Sequence, residues 1–188
     1  LLHDPEALAY VRTRAIVSNV GTIGALMIAK HTGQVLGASD VSRVGRLATL
    51  AGGAAAVPAP DRPLVRDYVL MLVLDYLAAT VIRQTLMIDA RTQRIVLTDN
   101  RFAFPGYTTA TGMVLDKLED VRQFPKELPA ALERVQRAQL SALLGKDRTE
   151  DRVWGPRQLS DYEDRRLTLL SLVAARVAIG GADNVLTL

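Results

Sequence analysis

Apolar residues concentrate between residues 68 and 82, where YVLMLVLDYLAATVI is interrupted by one carboxylate, Asp75. A helix over residues 64–79 that is apolar on nearly every side is expected to be surrounded by protein, and is read as the central element. A polar loop, 80–84, follows it. Residues 85–88 and 94–98 then alternate as two strands joined by a polar five-residue turn, 89–93. The hairpin hands the chain to Asp99 and Asn100, followed by Phe102 and Phe104. Such an order describes a scaffold that presents a carboxylate.

Elsewhere the pattern is helical. Asp4-Pro5 predicts a first helix with Asp as N-cap, Leu8, Val11, Ala15 and Ile16 as its inward stripe, and Asn19-Val20-Gly21 as its end. A short apolar segment, 23–29, closes at His31-Thr32-Gly33. Residues 37–63 turn to small residues, Gly and Pro, which predicts a flexible connection with a short helix around 42–50. Beyond Pro105-Gly106, residues 113–123 suggest a short helix charged on one side. Residues 128–144 carry Leu132, Val135, Leu140 and Leu143 at helical spacing and stop at Gly145. A capping box, Ser160-x-x-Glu163, precedes a last helix over 167–179 that Gly180-Gly181 ends. The expected fold class is mainly α with a small β-hairpin. Residues 1–63 form an N-terminal helical segment with its connection, and 64–188 a helical lobe.

Composition narrows the function. With 188 residues, 49% hydrophobic and 23% charged, and a mean hydropathy of +0.14, the chain can bury one core, tightly or against a protein partner. A net charge of +3, no run of five like charges and 5% aromatics argue against nucleic acid as a partner. The longest apolar run is about 15 residues, short of the roughly 20 that a transmembrane span needs. Without cysteine the chain has no disulfide, zinc-thiolate site or thiol nucleophile, which leans the compartment toward a reducing one such as the cytoplasm. The first residue is Leu1, not Met, so an N-terminal part is expected to have been processed or cut away. His3 and His31 lie far apart, with no carboxylate spacing that suggests a metal and no triad arrangement.

In the order helix, loop, hairpin and Asp-Asn, residues 67–105 resemble the catalytic core of atypical kinases: the secretory-pathway casein kinase family, the phosphatidylinositol 4-kinases and the bacterial HipA-like kinases. Those families read approximately D-[FY]-L-x-G-N-x-D-R-H, two strands, then I-D-N-G-x-[AG]-F. Here the first string is Asp75-Tyr76-Leu77-Ala78-Ala79-Thr80-Val81-Ile82-Arg83-Gln84, and the second is Thr98-Asp99-Asn100-Arg101-Phe102-Ala103-Phe104. The resemblance covers roughly a fifth of the chain and implies a kinase-like C-lobe architecture, with phosphoryl transfer from ATP assisted by Mg²⁺.

By that correspondence Asp99 is the metal ligand, and Asn100 and Arg83 stand with it at the nucleotide phosphates. Ile82 stands where the catalytic base belongs. An alkyl group cannot accept a proton, and losing a general base costs about 10² to 10⁴ in rate. Ala79 and Thr80 replace glycine and asparagine, Gln84 the histidine, and Arg101 the second glycine. No β-rich lobe with a glycine loop is evident: Gly21-x-x-Gly24 precedes an apolar segment, and Lys30 falls in no strand. The expectation is a degraded kinase-like domain that binds or regulates a protein. The alternatives are a divergent kinase whose base comes from Asp75, Asp89 or a partner, and a helical interaction protein without nucleotide.

Each candidate also has a structural role open to it. Asp99 can accept backbone N–H groups at a strand-to-loop turn, Asp75 can satisfy the amides of loop 80–84, and Arg83 can pair with either carboxylate. Arg101, Arg134, Arg137, Arg165 and Arg166 are expected to be solvated surface charges. Trp154, in the loop 146–156, is an anchor for a partner or a lid over the last helix.

Overall fold

Helix α2, Arg62–Leu77, is the element on which the others pack. The computed structural model describes residues 15–17, 23–25, 33–37, 41–80, 85–89, 91–97, 111–144 and 156–188. Pro63 in the first turn pre-sets the backbone of α2, and nine residues between Val65 and Leu77 are buried. Burial thus covers most of the helix, as its apolar sequence predicts, although Leu74 is half exposed. Helix α1, Val41–Gly52, and helix α3, Gly112–Asp120, lie against it, and helix α6, Pro156–Gly180, crosses it. The short helices α4, Leu128–Arg134, and α5, Arg137–Leu144, both pack on α6, and α7, Ala182–Val185, follows α6 after Gly181 at φ +79°.

The core runs from Leu47 and Ala51 of α1 through α2 to Leu118, Phe124, Leu132, Leu169 and Val173. Each Leu, Val or Phe side chain among them contributes about 1.5–3 kcal/mol when fully buried. Two short sheets accompany the helices. Strands β1, Ala15–Val17, and β2, Ile23–Ala25, pair antiparallel with Ile16 opposite Gly24. Strands β3, Gly33–Gly37, β4, Thr85–Asp89, and β5, Ile95–Val96, form an antiparallel sheet in the order β3-β4-β5, with Met87 opposite both Val35 and Val96. The fold is therefore mainly helical, and the predicted hairpin is present as β4–β5.

Four expectations need correction. Ala15 and Ile16 are strand residues rather than a helix stripe, because the β-branched pair Ile16-Val17 finds a cross-strand partner in Gly24 and Ile23. The remainder of that expected helix, from Asp4-Pro5, lies outside the described residues. A strand pair accordingly does flank Gly21 in the sequence. Secondly, residues 41–61 are not a loose connection. Buried Gln123 donates to the carbonyls of Ala55 (2.7 Å) and Gly53 (3.4 Å) and accepts from the Val57 amide (3.3 Å), and Val57 is buried. The small side chains bury little area, but their backbone is tied from a distance.

Thirdly, the helix predicted over 128–144 breaks at Val135, which is exposed instead of inward, with φ −101° and ψ 44°. Groups freed by the break are taken up by α6. Tyr162 Oη donates to the Val135 carbonyl (2.8 Å), Arg166 Nη1 to the Leu132 carbonyl (3.1 Å), and the Arg137 amide donates to Glu163 Oε2 (2.9 Å). Fourthly, α6 starts at Pro156, so Ser160 lies within the helix and caps nothing, while Glu163 binds Arg166.

Candidate functional site

The segment that carries the resemblance begins at the end of α2. The Thr80 amide donates to the Asp75 carbonyl (2.8 Å) and the Ala79 amide to the Tyr76 carbonyl (3.1 Å), with Ala79 at φ +51°. This is a Schellman closure, in which one residue in the left-handed region reverses the chain; glycine suits that residue and alanine tolerates it at a cost. The Leu77 carbonyl is left out of the closure. Arg165 of α6 supplies both of its donors, Nε at 3.1 Å and Nη2 at 3.0 Å. Thr80 and Tyr76 are buried beside it, so the helix end is sealed before residue 81.

The hairpin that follows is fixed by two aspartates. Asp89 Oδ1 accepts from the amides of Arg91 (3.0 Å) and Thr92 (2.7 Å) and from the Thr92 hydroxyl (2.9 Å), and Gln93 completes the turn at φ +53°. The carboxylate thus substitutes for missing backbone partners, as Asp does in Asx turns. Asp67, nearly buried in α2, accepts from Arg94 Nε (2.6 Å) and Nη2 and from the Ile95 amide (3.0 Å). The hydrogen bond to Asp67 raises the Arg94 pKa against the lowering by burial. Strand β5 is clamped to α2 by this pair.

Of the candidates named from the sequence, Asp89 holds the turn just described, and the one other among the described residues is Asp75. It is 5% exposed on the core side of α2, where it offers no face to an incoming hydroxyl. Arg83, Asp99 and Asn100 lie outside the described residues, as do Ile82, Arg101, Lys30, both histidines and Trp154. Among the described residues no group of three or more His, Asp or Glu is placed to hold a metal ion, and no helix is long and apolar enough to cross a membrane.

Two residues read as surface charges are not. Arg165 and Arg166 are 8% and 5% exposed. Burial lowers the Arg165 pKa, opposed by the nearby Asp161, Tyr76 and Asp164, whereas the Glu163 hydrogen bond raises that of Arg166. Their signal in the sequence was an adjacent pair of cations entering the apolar stretch 167–179. Asp67 and Gln123 gave none, because the partners of each are distant in sequence.

Comparison of the chain with models of known protein families, with characterised proteins and with solved structures gives no match.

Proposed function

We propose that this chain is a kinase-like helical lobe that has lost its catalytic base and works as a protein-binding or regulatory module. The observation that carries the proposal is the backbone of Ala79. The resembled motif has glycine at this position, and Ala79 stands at φ +51°, the conformation for which glycine is the natural choice. The order around it supports the reading: a buried helix, a closed helix end and, from Thr85, an antiparallel hairpin that precedes Asp99 in the sequence.

Loss of catalysis follows from what remains. Ile82 cannot accept a proton, Asp75 is buried, and Asp89 Oδ1 is engaged in the turn by three donors. None of these replaces a base that must meet a substrate hydroxyl within about 3 Å. The expected outcome of an assay with ATP and Mg²⁺ is no phosphoryl transfer to the chain or to model substrates. Robust autophosphorylation that disappears in Asp99→Ala would overturn the proposal.

The β1–β2 pair favours a second reading, a divergent active kinase. Its two strands are joined through residues 18–22, which include Gly21, and a glycine-bearing hairpin is what covers the phosphates in that class. A thermal shift with ATP that requires Mg²⁺ and is lost in Asp99→Ala would support this reading over the first.

A further inference from the structure

The apolar spacing of residues 128–144 should turn Val135 inward, and the structure turns it out, 39% exposed between α4 and α5. A single exposed apolar side chain needs no explanation. Here, however, the break that exposes it is held from behind by three groups of α6: the Tyr162 hydroxyl on the Val135 carbonyl, Arg166 on the Leu132 carbonyl, and Glu163 on the Arg137 amide. Tyr162 and Arg166 are buried to do so.

The same anchoring places Val135 beside an apolar row. Leu167 lies one turn along α6 from Glu163 and is 48% exposed, and half-buried Leu170 and exposed Ala174 continue the row at helical spacing. From Leu167 to Ala174 the row runs about 10 Å. Over that length an amphipathic helix presents anchors at i, i+3 or i+4 and i+7.

The charge beside Val135 is basic. Arg134 and Arg137 stand on either side of it, both exposed, and neither guanidinium has a hydrogen bond or ion pair among the described residues. The carboxylates around them are engaged with Arg166: Glu163 accepts from its guanidinium, and Glu133 lies within its electrostatic reach. Asp164, three residues before Leu167, borders the row on the side away from Glu163 and the two arginines.

We propose that this surface docks an acidic amphipathic helix of a partner protein, with its apolar anchors on Val135, Leu167, Leu170 and Ala174 and its carboxylates on Arg134 and Arg137. The proposal rests on the reading of the chain as a protein-binding module and names the chemistry of the partner. Protein is favoured over an anionic lipid surface because two arginines fall short of the cluster of about four to eight basic residues that such a surface calls for.

The test is fluorescence anisotropy of a labelled helical peptide of about 14 residues, with leucines at i, i+3, i+4 and i+7 and glutamates along one edge, titrated with the full chain. A counterpart with lysines in place of the glutamates is titrated in parallel. The acidic peptide is expected to bind more tightly by about tenfold or more, with the margin shrinking as salt screens the pairs. Val135→Ser and Leu167→Ser should each weaken its binding by about tenfold. The double variant Arg134→Gln with Arg137→Gln should erase the preference for glutamate over lysine. All four positions are exposed, and the Arg137 amide that Glu163 accepts is unchanged, so urea midpoints should match wild type. The proposal is overturned if neither peptide binds, if both bind alike, or if the serine variants bind as wild type does. Association of the chain with itself through Val135 and Leu167, or binding to phosphatidylserine vesicles in place of the peptide, overturns it as well. No nucleotide enters these titrations, so their failure leaves the phosphoryl-transfer assay to decide the kinase-like reading by itself.

Discussion

Arg165 and Leu77, 88 positions apart, are joined by two hydrogen bonds from one guanidinium edge to one carbonyl oxygen. The carbonyl is the one that the Schellman closure of α2 leaves over, and the arginine is buried to reach it. The long helix α6 thereby finishes the helix that opens the candidate site. A charge spent on a backbone group is unusual in a core and implies that the orientation of this helix end matters to the fold.

Arg165→Met retains most of the apolar stem and removes the donors. It should destabilise the chain by about 1–3 kcal/mol, the penalty for leaving a buried acceptor unsatisfied. Urea denaturation should show a lower midpoint with an unchanged slope, since the surface exposed on unfolding is the same. Arg165→Lys should recover only part of the loss, because an ammonium cannot present the two parallel donors of a guanidinium. Equal midpoints for wild type and Arg165→Met would show that water satisfies Leu77 equally well.

Ala79 gives a prediction of opposite sign. At φ +51° a Cβ is strained by about 1 kcal/mol, whereas glycine adopts the region freely. Ala79→Gly should therefore raise stability by about 0.5 kcal/mol after the greater chain entropy of glycine is deducted, and Ala79→Val should lower it by more than 1 kcal/mol. A series of Ala, Gly and Val at this position, compared by Tm, reads the strain directly. The order Gly, Ala, Val is expected; stability that falls with glycine would mean that the closure is not formed in solution.

The sequence reports well on what is local. The apolar run at 68–82 predicted α2 and its burial, and the alternation around 89–93 predicted the β4–β5 hairpin, since each pattern repeats within a few residues of itself. It reports poorly on groups completed from afar. Leu132 and Val135 continue a helical spacing across a break, and nothing nearby shows that Tyr162, Glu163 and Arg166 will satisfy the ends this exposes. Arg165 and Arg166 looked like surface charges for the same reason: their partners are carbonyls, which every residue has and no pattern distinguishes. Residues 53–57 looked loose because their order comes from Gln123. At the candidate site, the helix end and hairpin were legible from residues 67–98, but the burial of Asp75 depends on which side of an all-apolar helix faces the core, and periodicity is silent there.

Tyr162 ties the α4–α5 break to alkaline stability. Its phenol is 5% exposed and donates to the Val135 carbonyl at 2.8 Å. Burial pushes its pKa up to about 12 from 10.0, with Arg166 opposing, Glu163 adding to the rise and Arg165 again opposing. The folded state thus holds the phenolic proton more tightly than the unfolded state. The stability gained is complete below pH 10, where both states are neutral, and is lost as pH rises from 10 toward 12. Ionisation would also turn the donor into an anion facing a carbonyl oxygen. Tyr162→Phe should cost about 1 kcal/mol at pH 8, where only the hydrogen bond is removed. Between pH 10 and 12 wild type should lose stability faster than Tyr162→Phe, so the two curves converge. Urea midpoints measured at pH 8, 10, 11 and 12 decide the matter: curves that stay parallel across that range would show that Tyr162 titrates alike in the folded and unfolded chains, and that the phenol is not sealed against the break.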